Sequence, residues 1–246
     1  MTLPVSAASM RPALFIGACS AFFAAGIWIQ SSGFLDEMIF YLPDIRYLAI
    51  QHMQLTAVSG GLAILIAVPL GVVLSRQSAR RLAEPAMQLL NIGTTIPTLA
   101  VLALSMSFLG IGTVPAVFAL TIATMLPITR NTYTGLQGVA PALLEAANGL
   151  GLSPFQRLLK VEIPNALTVI FAGIRTALAI NVGTVPLAFL IGGGGLGELI
   201  FTGIDLYDTP MMLAGAIPTA MLAIAVDALV AAIAVLAVPR GVAPRE

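Results

Sequence analysis

Gly192-Gly193-Gly194-Gly195-Leu196-Gly197 satisfies G-x-G-x-x-G, the spacing by which glycines admit a dinucleotide pyrophosphate to a helix N-terminus. That chemistry needs a strand before the glycines and a helix after them in a βαβ unit. A long apolar run precedes them here, so the segment reads as a flexible turn. His52 is the one histidine and Cys19 the one cysteine, so neither an intrachain disulfide nor a Cys/His metal cluster can be built. No nucleophile or carboxylate partner for His52 is visible, and a triad needs all three groups; it reads as an interfacial residue at the edge of an apolar segment. A Walker A loop needs a lysine after its glycines, and the one lysine, Lys160, stands elsewhere. No catalytic residue, metal or cofactor is expected. Two charges remain, Arg175 and Asp227, each inside an apolar stretch where an ionised group is costly and calls for a partner.

The elements that must position them are read from composition. Of 246 residues, 59% are hydrophobic and 9% charged, with a mean hydropathy of +1.01. Soluble domains carry roughly 25% charged residues, so the natural solvent is a membrane. About 20 apolar residues span a bilayer, and six stretches approach that length: roughly 12–30, 53–74, 86–109, 113–130, 166–190 and 210–238. The fourth is the weakest, bounded by Pro115 and Pro127. Pro69, Pro97, Pro186 and Pro218 fall inside spans, where neighbouring helices satisfy the freed carbonyls. Only about five apolar residues separate Arg11 from Cys19, too few for a signal-peptide core, so the first stretch reads as an uncleaved membrane helix. The expectation is an all-α membrane protein of one domain, residues 1–246.

Basic residues set the orientation. With the N-terminus inside, the inner loops hold Arg11, Arg76, Arg80, Arg81, Arg130, Arg157, Lys160, Arg240 and Arg245, and the outer loops only Arg46. The outer side collects Asp36, Glu37, Asp44, Glu198, Asp205 and Asp208. Both termini and the loop before the fifth span are therefore expected in the cytoplasm. Arg175 lies about ten residues beyond Pro164, on the order of 15 Å into the fifth helix, and Asp227 lies at a similar depth in the sixth. Antiparallel packing of these two helices would let each charge neutralise the other.

The most polar stretch is 145–164, EAANGLGLSPFQRLLKVEIP. Pro141 suits the first position of a helix, strong helix formers follow from Ala142 to Ala147, and Gly149 and Gly151 stop it. Ser153 is a natural N-cap, with Pro154 at the first position and Gln156 at the third, a capping box. A second helix is expected through Phe155, Leu158 and Leu159, ending before Pro164. Apolar groups on so exposed a helix pair point to a protein partner or the membrane surface.

Glu145-Ala146-Ala147, three residues, Gly151, nine residues, and then Val161-Glu162-Ile163-Pro164 together resemble the EAA loop of ABC importer permeases. The likeness extends through LPITRNTYTGL (126–136), AGIRTALAINVGT (172–184), GGGGLGELIFTGI (192–204) and LAGAIPTAMLAIAVDALV (213–230), which are similar to permeases for glycine betaine, choline and carnitine. LTAVSGGLAILIAVPLGVVLSR (55–76) and TIPTLAVLAL (95–104) fit as well; the first span is poorly matched. Gly193 and Pro186 depart from the pattern, where alanine and a small or polar residue are commoner.

The resemblance implies a type I importer transmembrane domain over about 50–238, with its coupling loop at 140–165 between the fourth and fifth spans. It implies three protein partners besides lipid: an ABC ATP-binding subunit, an extracytoplasmic solute-binding protein, and a second permease, identical or sister. Nucleic acid is not among them. Glu145, Ala146, Ala147, Gly151 and Pro164 become the expected ATPase-coupling residues. Thr94, Thr95, Pro97, Asn181, Thr184 and Gly195 become candidates for the translocation path or gate; for the threonines and the asparagine, bonding to local backbone carbonyls is the competing role. Arg175 and Asp227 form either a static strut or a pair that breaks during transport. A sibling importer, such as the methionine type, shares a glycine-rich loop of this kind, but RNTYTGL and GIRTA favour the osmolyte branch. A secondary transporter would show inverted repeats, and none is visible.

Overall fold

A computed structural model describes residues 34–239, and among them every regular element is helical. In chain order they are α1 (Phe34–Phe40), α2 (Leu42–Leu74), α3 (Arg80–Thr95), α4 (Thr98–Leu109), α5 (Thr113–Gln137), α6 (Pro141–Gly149), α7 (Pro154–Arg157), α8 (Ile163–Thr184), α9 (Gly197–Asp205) and α10 (Thr209–Ala237). A π-turn over Leu158–Glu162 joins α7 to α8, and a 3₁₀ stretch over Val185–Ile191 extends α8. Among the described residues four segments are long and apolar enough to cross a membrane: Leu42–Leu74, Thr113–Gln137, Pro154–Ile191 and Thr209–Ala237. The bent pair α3–α4 makes a fifth if the two are counted as one span. The expected first span, 12–30, lies outside the described residues.

Three expectations need correction. The second helix starts at Leu42 rather than 53, so His52 lies well inside it. The third span is broken: α3 and α4 meet at 93°. Pro97 has no N–H to continue a helix and biases its predecessor to extended backbone; Ile96 accordingly has φ −73°, ψ 125°. Pro127, by contrast, sits inside α5, which continues to Gln137.

Helices α2, α5, α8 and α10 build the main core from Ala63 and Ala67, Ile128 and Leu136, Ile170 and Ala177, and Val226 and Val230. Small residues set how close these axes come, as lipid-embedded helices require. A Cβ on Gly71 of α2 would stand 2.8 Å from the Thr129 carbonyl oxygen of α5, and one on Gly173 of α8 would stand 2.9 Å from that of Pro127. A polar seam crosses the same three helices. The Asn181 amide donates to Ser59 Oγ (2.9 Å) and Thr124 Oγ1 (3.0 Å), all three side chains being buried. Polar pairs of this kind fix register where neighbouring contacts are uniformly apolar.

Candidate functional site

The elbow between α5 and α8 is built as its residues dictate. Pro141 opens α6. The helix closes through Leu150 N–H to Ala146 O (3.0 Å) and Leu152 N–H to Ala147 O (3.1 Å), while Gly151 takes φ +71°. A side chain there costs about 1–2 kcal/mol, so glycine makes the turn cheap. Ser153 caps α7 reciprocally: Gln156 N–H donates to its Oγ (3.3 Å) and its own N–H donates to Gln156 Oε1 (2.9 Å).

The second helix does not end before Pro164. It runs on into α8 because the π-turn widens the backbone, with Ile163 N–H bonding to Leu158 O, five residues back. That looser turn absorbs the proline ring, which otherwise presses on the carbonyl four residues earlier. Asn165 Nδ2 then satisfies Val161 O at 2.7 Å. The elbow is thereby joined to a membrane helix as one continuous rod.

Of the five expected coupling residues, Glu145, Ala146 and Gly151 are exposed, Pro164 is half-buried and Ala147 is buried against the body. Leu143, Leu150, Phe155 and Leu159 are all exposed beside them, Leu150 by 81% and Phe155 by 68%. Glu162 has a different situation. It is buried, and both carboxylate oxygens are taken: Oε2 by Arg76 Nη2, and Oε1 by Arg157 Nε at 2.9 Å. Arg157 also reaches Asn148 Oδ1 of α6 (2.8 Å), and Gln137 Nε2 of α5 donates to Ser75 O (2.8 Å). The VEIP motif contains Glu162, but only the fold shows which cations face it.

Arg175 and Asp227 meet across α8 and α10 in a bidentate pair, Nε to Oδ1 at 2.9 Å and Nη2 to Oδ2 at 2.7 Å. Two parallel bonds of this kind fix orientation as well as charge. Their side chains are 42% and 38% exposed, on a shallow groove shared with Ala172, Thr176 and Ile180.

The remaining candidates are dispersed. Asn181 is sealed within the polar seam, so in this conformation it faces no cavity. Thr95 donates to Ile92 O (2.7 Å) and Thr184 to Ile180 O (3.1 Å) and Asn181 O (3.0 Å), the local backbone role. Thr94 lies in α3, its side chain outside the described residues; Pro97 marks the exposed bend. At the far end of α8, Gly192, Gly194 and Gly195 have φ of 77°, 78° and 87°, and Gly195 N–H donates to Gln51 Oε1 (3.2 Å). Gln51 and Gln54, which composition did not single out, border a cavity of about 530 Å³ with Gly192, Gly193 and Gly194. His52 is buried rather than interfacial, its Nε2 donating to Val182 O at 3.0 Å.

The pattern of one family, described as the inner membrane component of binding-protein-dependent transport systems, matches residues 67–240. The osmoprotectant import permease protein OsmY of Salmonella typhimurium is 52% identical over 188 residues, which are 76% of this chain and 80% of that one. The choline transport system permease protein OpuBB of Bacillus subtilis is 44% identical, over 75% and 84% of the two chains. Among solved structures, an inward-facing MetNI methionine ABC transporter superposes with a TM-score of 0.72 over 81% of this chain and 98% of that one; its 23% identity speaks for the fold alone. A helical bundle of this fold, carrying that pattern over most of its length and relatives at such identity, belongs to the family of binding-protein-dependent transport system inner membrane components.

Proposed function

We propose that this chain is the permease subunit of an ATP-driven importer for quaternary ammonium osmoprotectants, of the glycine betaine, choline and carnitine class. The 52% identity to an osmoprotectant import permease carries this reading. Relatives named for choline and for glycine betaine, carnitine and choline transport, at 44% and 41% identity, support the same class. The methionine transporter shares its architecture at 23% identity, too little to transfer a substrate.

In this reading the chain is a single permease domain of the inner membrane, with both termini and the elbow in the cytoplasm. A separate ATP-binding subunit grips α6 and the exposed Leu150 and Phe155. Closure of two such subunits pushes two elbows together, and the rod from Pro154 to Ile191 carries the displacement across the membrane. A solute-binding protein delivers substrate at the opposite face, where the glycine turn at Gly192–Gly195 and the cavity beside Gln51 form the entrance. A second permease completes the path, and the Arg175–Asp227 pair holds α8 to α10 as they tilt.

The test is reconstitution with an ABC ATPase and a solute-binding protein of the osmoprotectant importer class. ATP-dependent uptake of radiolabelled glycine betaine, choline or carnitine is expected, with methionine excluded. Uptake of methionine instead, or full-rate uptake without any ATPase, overturns the proposal.

A further inference from the structure

We infer that Glu162 is a positioning residue, a carboxylate clasp that carries motion of α6 to α2 as well as to α8. The inference rests on the reading that α6 is gripped by an ATPase subunit. Among the residues of α6, only Ala147 is buried, so packing alone ties this helix weakly to the body. Between it and the end of α2 lies a polar cavity of about 450 Å³, lined in part by Gln77, Tyr133 and Leu144. What crosses it is a chain of polar bonds: Asn148 of α6 to Arg157, Arg157 to Glu162, and Glu162 to Arg76. Arg76 in turn donates through Nε to Val72 O, the last turn of α2, at 3.2 Å, and through Nη2 to Ser75 Oγ at 2.8 Å.

Glu162 is the one member of this chain that is buried, and its two oxygens face different elements. Each arginine satisfies one oxygen of the buried carboxylate, so losing either leaves one buried acceptor without its charged donor. The clasp therefore holds at a fixed distance two elements that would otherwise slide past the cavity. It also sits in the π-turn that joins the elbow to α8. A static prop would serve as well with hydrocarbon; a charged clasp transmits both push and pull.

The experiment compares wild type, Glu162→Gln and Arg76→Gln in the full importer, assembled with its ATPase and a binding protein loaded with glycine betaine. Each variant is first checked for assembly by co-purification of the ATPase. Expected is an intact assembly whose basal ATP hydrolysis persists while stimulation by the loaded binding protein falls about fivefold or more, the size of a modest coupling energy. Glu162→Asp should restore part of it. Arg76→Gln removes only the α2 arm and leaves Glu162 paired with Arg157, so it decides the matter if Glu162→Gln fails to assemble. Wild-type stimulation in Arg76→Gln or in an assembled Glu162→Gln overturns the clasp and leaves the importer reading standing. A wild-type chain that retains no ATPase overturns that reading, and the clasp with it.

Discussion

A glycine and an ion pair define what single side chains contribute here. Gly151 exposes no Cβ contact, so size is not its constraint; its φ of +71° is. Gly151→Leu should strain the elbow by about 1–2 kcal/mol, lowering substrate-stimulated ATP hydrolysis while leaving membrane insertion intact. Unchanged stimulation in that variant would remove Gly151 from the coupling machinery. Arg175 and Asp227 make a geometric claim: two parallel bonds at 2.9 and 2.7 Å. Reversing either charge alone should abolish uptake, because like charges then face each other between α8 and α10. Exchanging both, Arg175→Asp with Asp227→Arg, should recover it, and a double variant as inactive as the singles would mean that the pair itself is not what matters.

At the scale of elements, α6 and α7 form the elbow, and their stability is local. Ser153→Ala removes one half of a reciprocal cap and should cost about 1 kcal/mol, seen as a lower thermal midpoint of the purified chain with transport reduced only modestly. Phe155→Asp tests the surface instead. Phe155 is 68% exposed, so the fold should be unaffected while the ATPase no longer co-purifies. Retention of the ATPase at wild-type stoichiometry would place docking elsewhere. Together these variants separate an elbow that is misfolded from one that is folded but not gripped.

For the whole molecule the decisive property is orientation. Along the chain, Arg76, Arg81, Arg130, Arg157 and Lys160 stand in the segments expected on the elbow's side of the membrane, and Asp36, Glu37, Asp44, Asp205 and Asp208 in those expected on the other. A Phe155→Cys chain with Cys19→Ser should therefore react with a membrane-impermeant maleimide in inside-out vesicles and not in intact cells. Labelling from the outside would invert the topology and end the proposed mechanism. Tyr41 lies toward that other side, its hydroxyl donating to Asp208 Oδ2 at 3.0 Å. Burial, then the hydrogen bond and charge of Asp208, push the phenol above its ordinary range, so it stays a donor and ties α2 to α10.

Hydropathy, proline and glycine placement, and charge asymmetry are local properties, so the sequence alone determined the membrane class, the capped elbow and the charges that had to be paired. Ser153 and Gln156 stand three apart, and no distant residue was needed to read their cap. What surrounds a side chain is not local. The burial of His52 depends on α8, whose Val182 carbonyl it meets 130 positions away, and that of Asn181 on Ser59 and Thr124, 122 and 57 positions away. Glu162 is gripped by an arginine 86 residues distant, which only the folded packing of α2 against the elbow brings near. The break at Pro97 and the unbroken passage through Pro164 show the same division: both prolines interrupt hydrogen bonding, and the surrounding backbone, extended at Ile96 and widened to a π-turn at Leu158–Glu162, decides whether the helix stops.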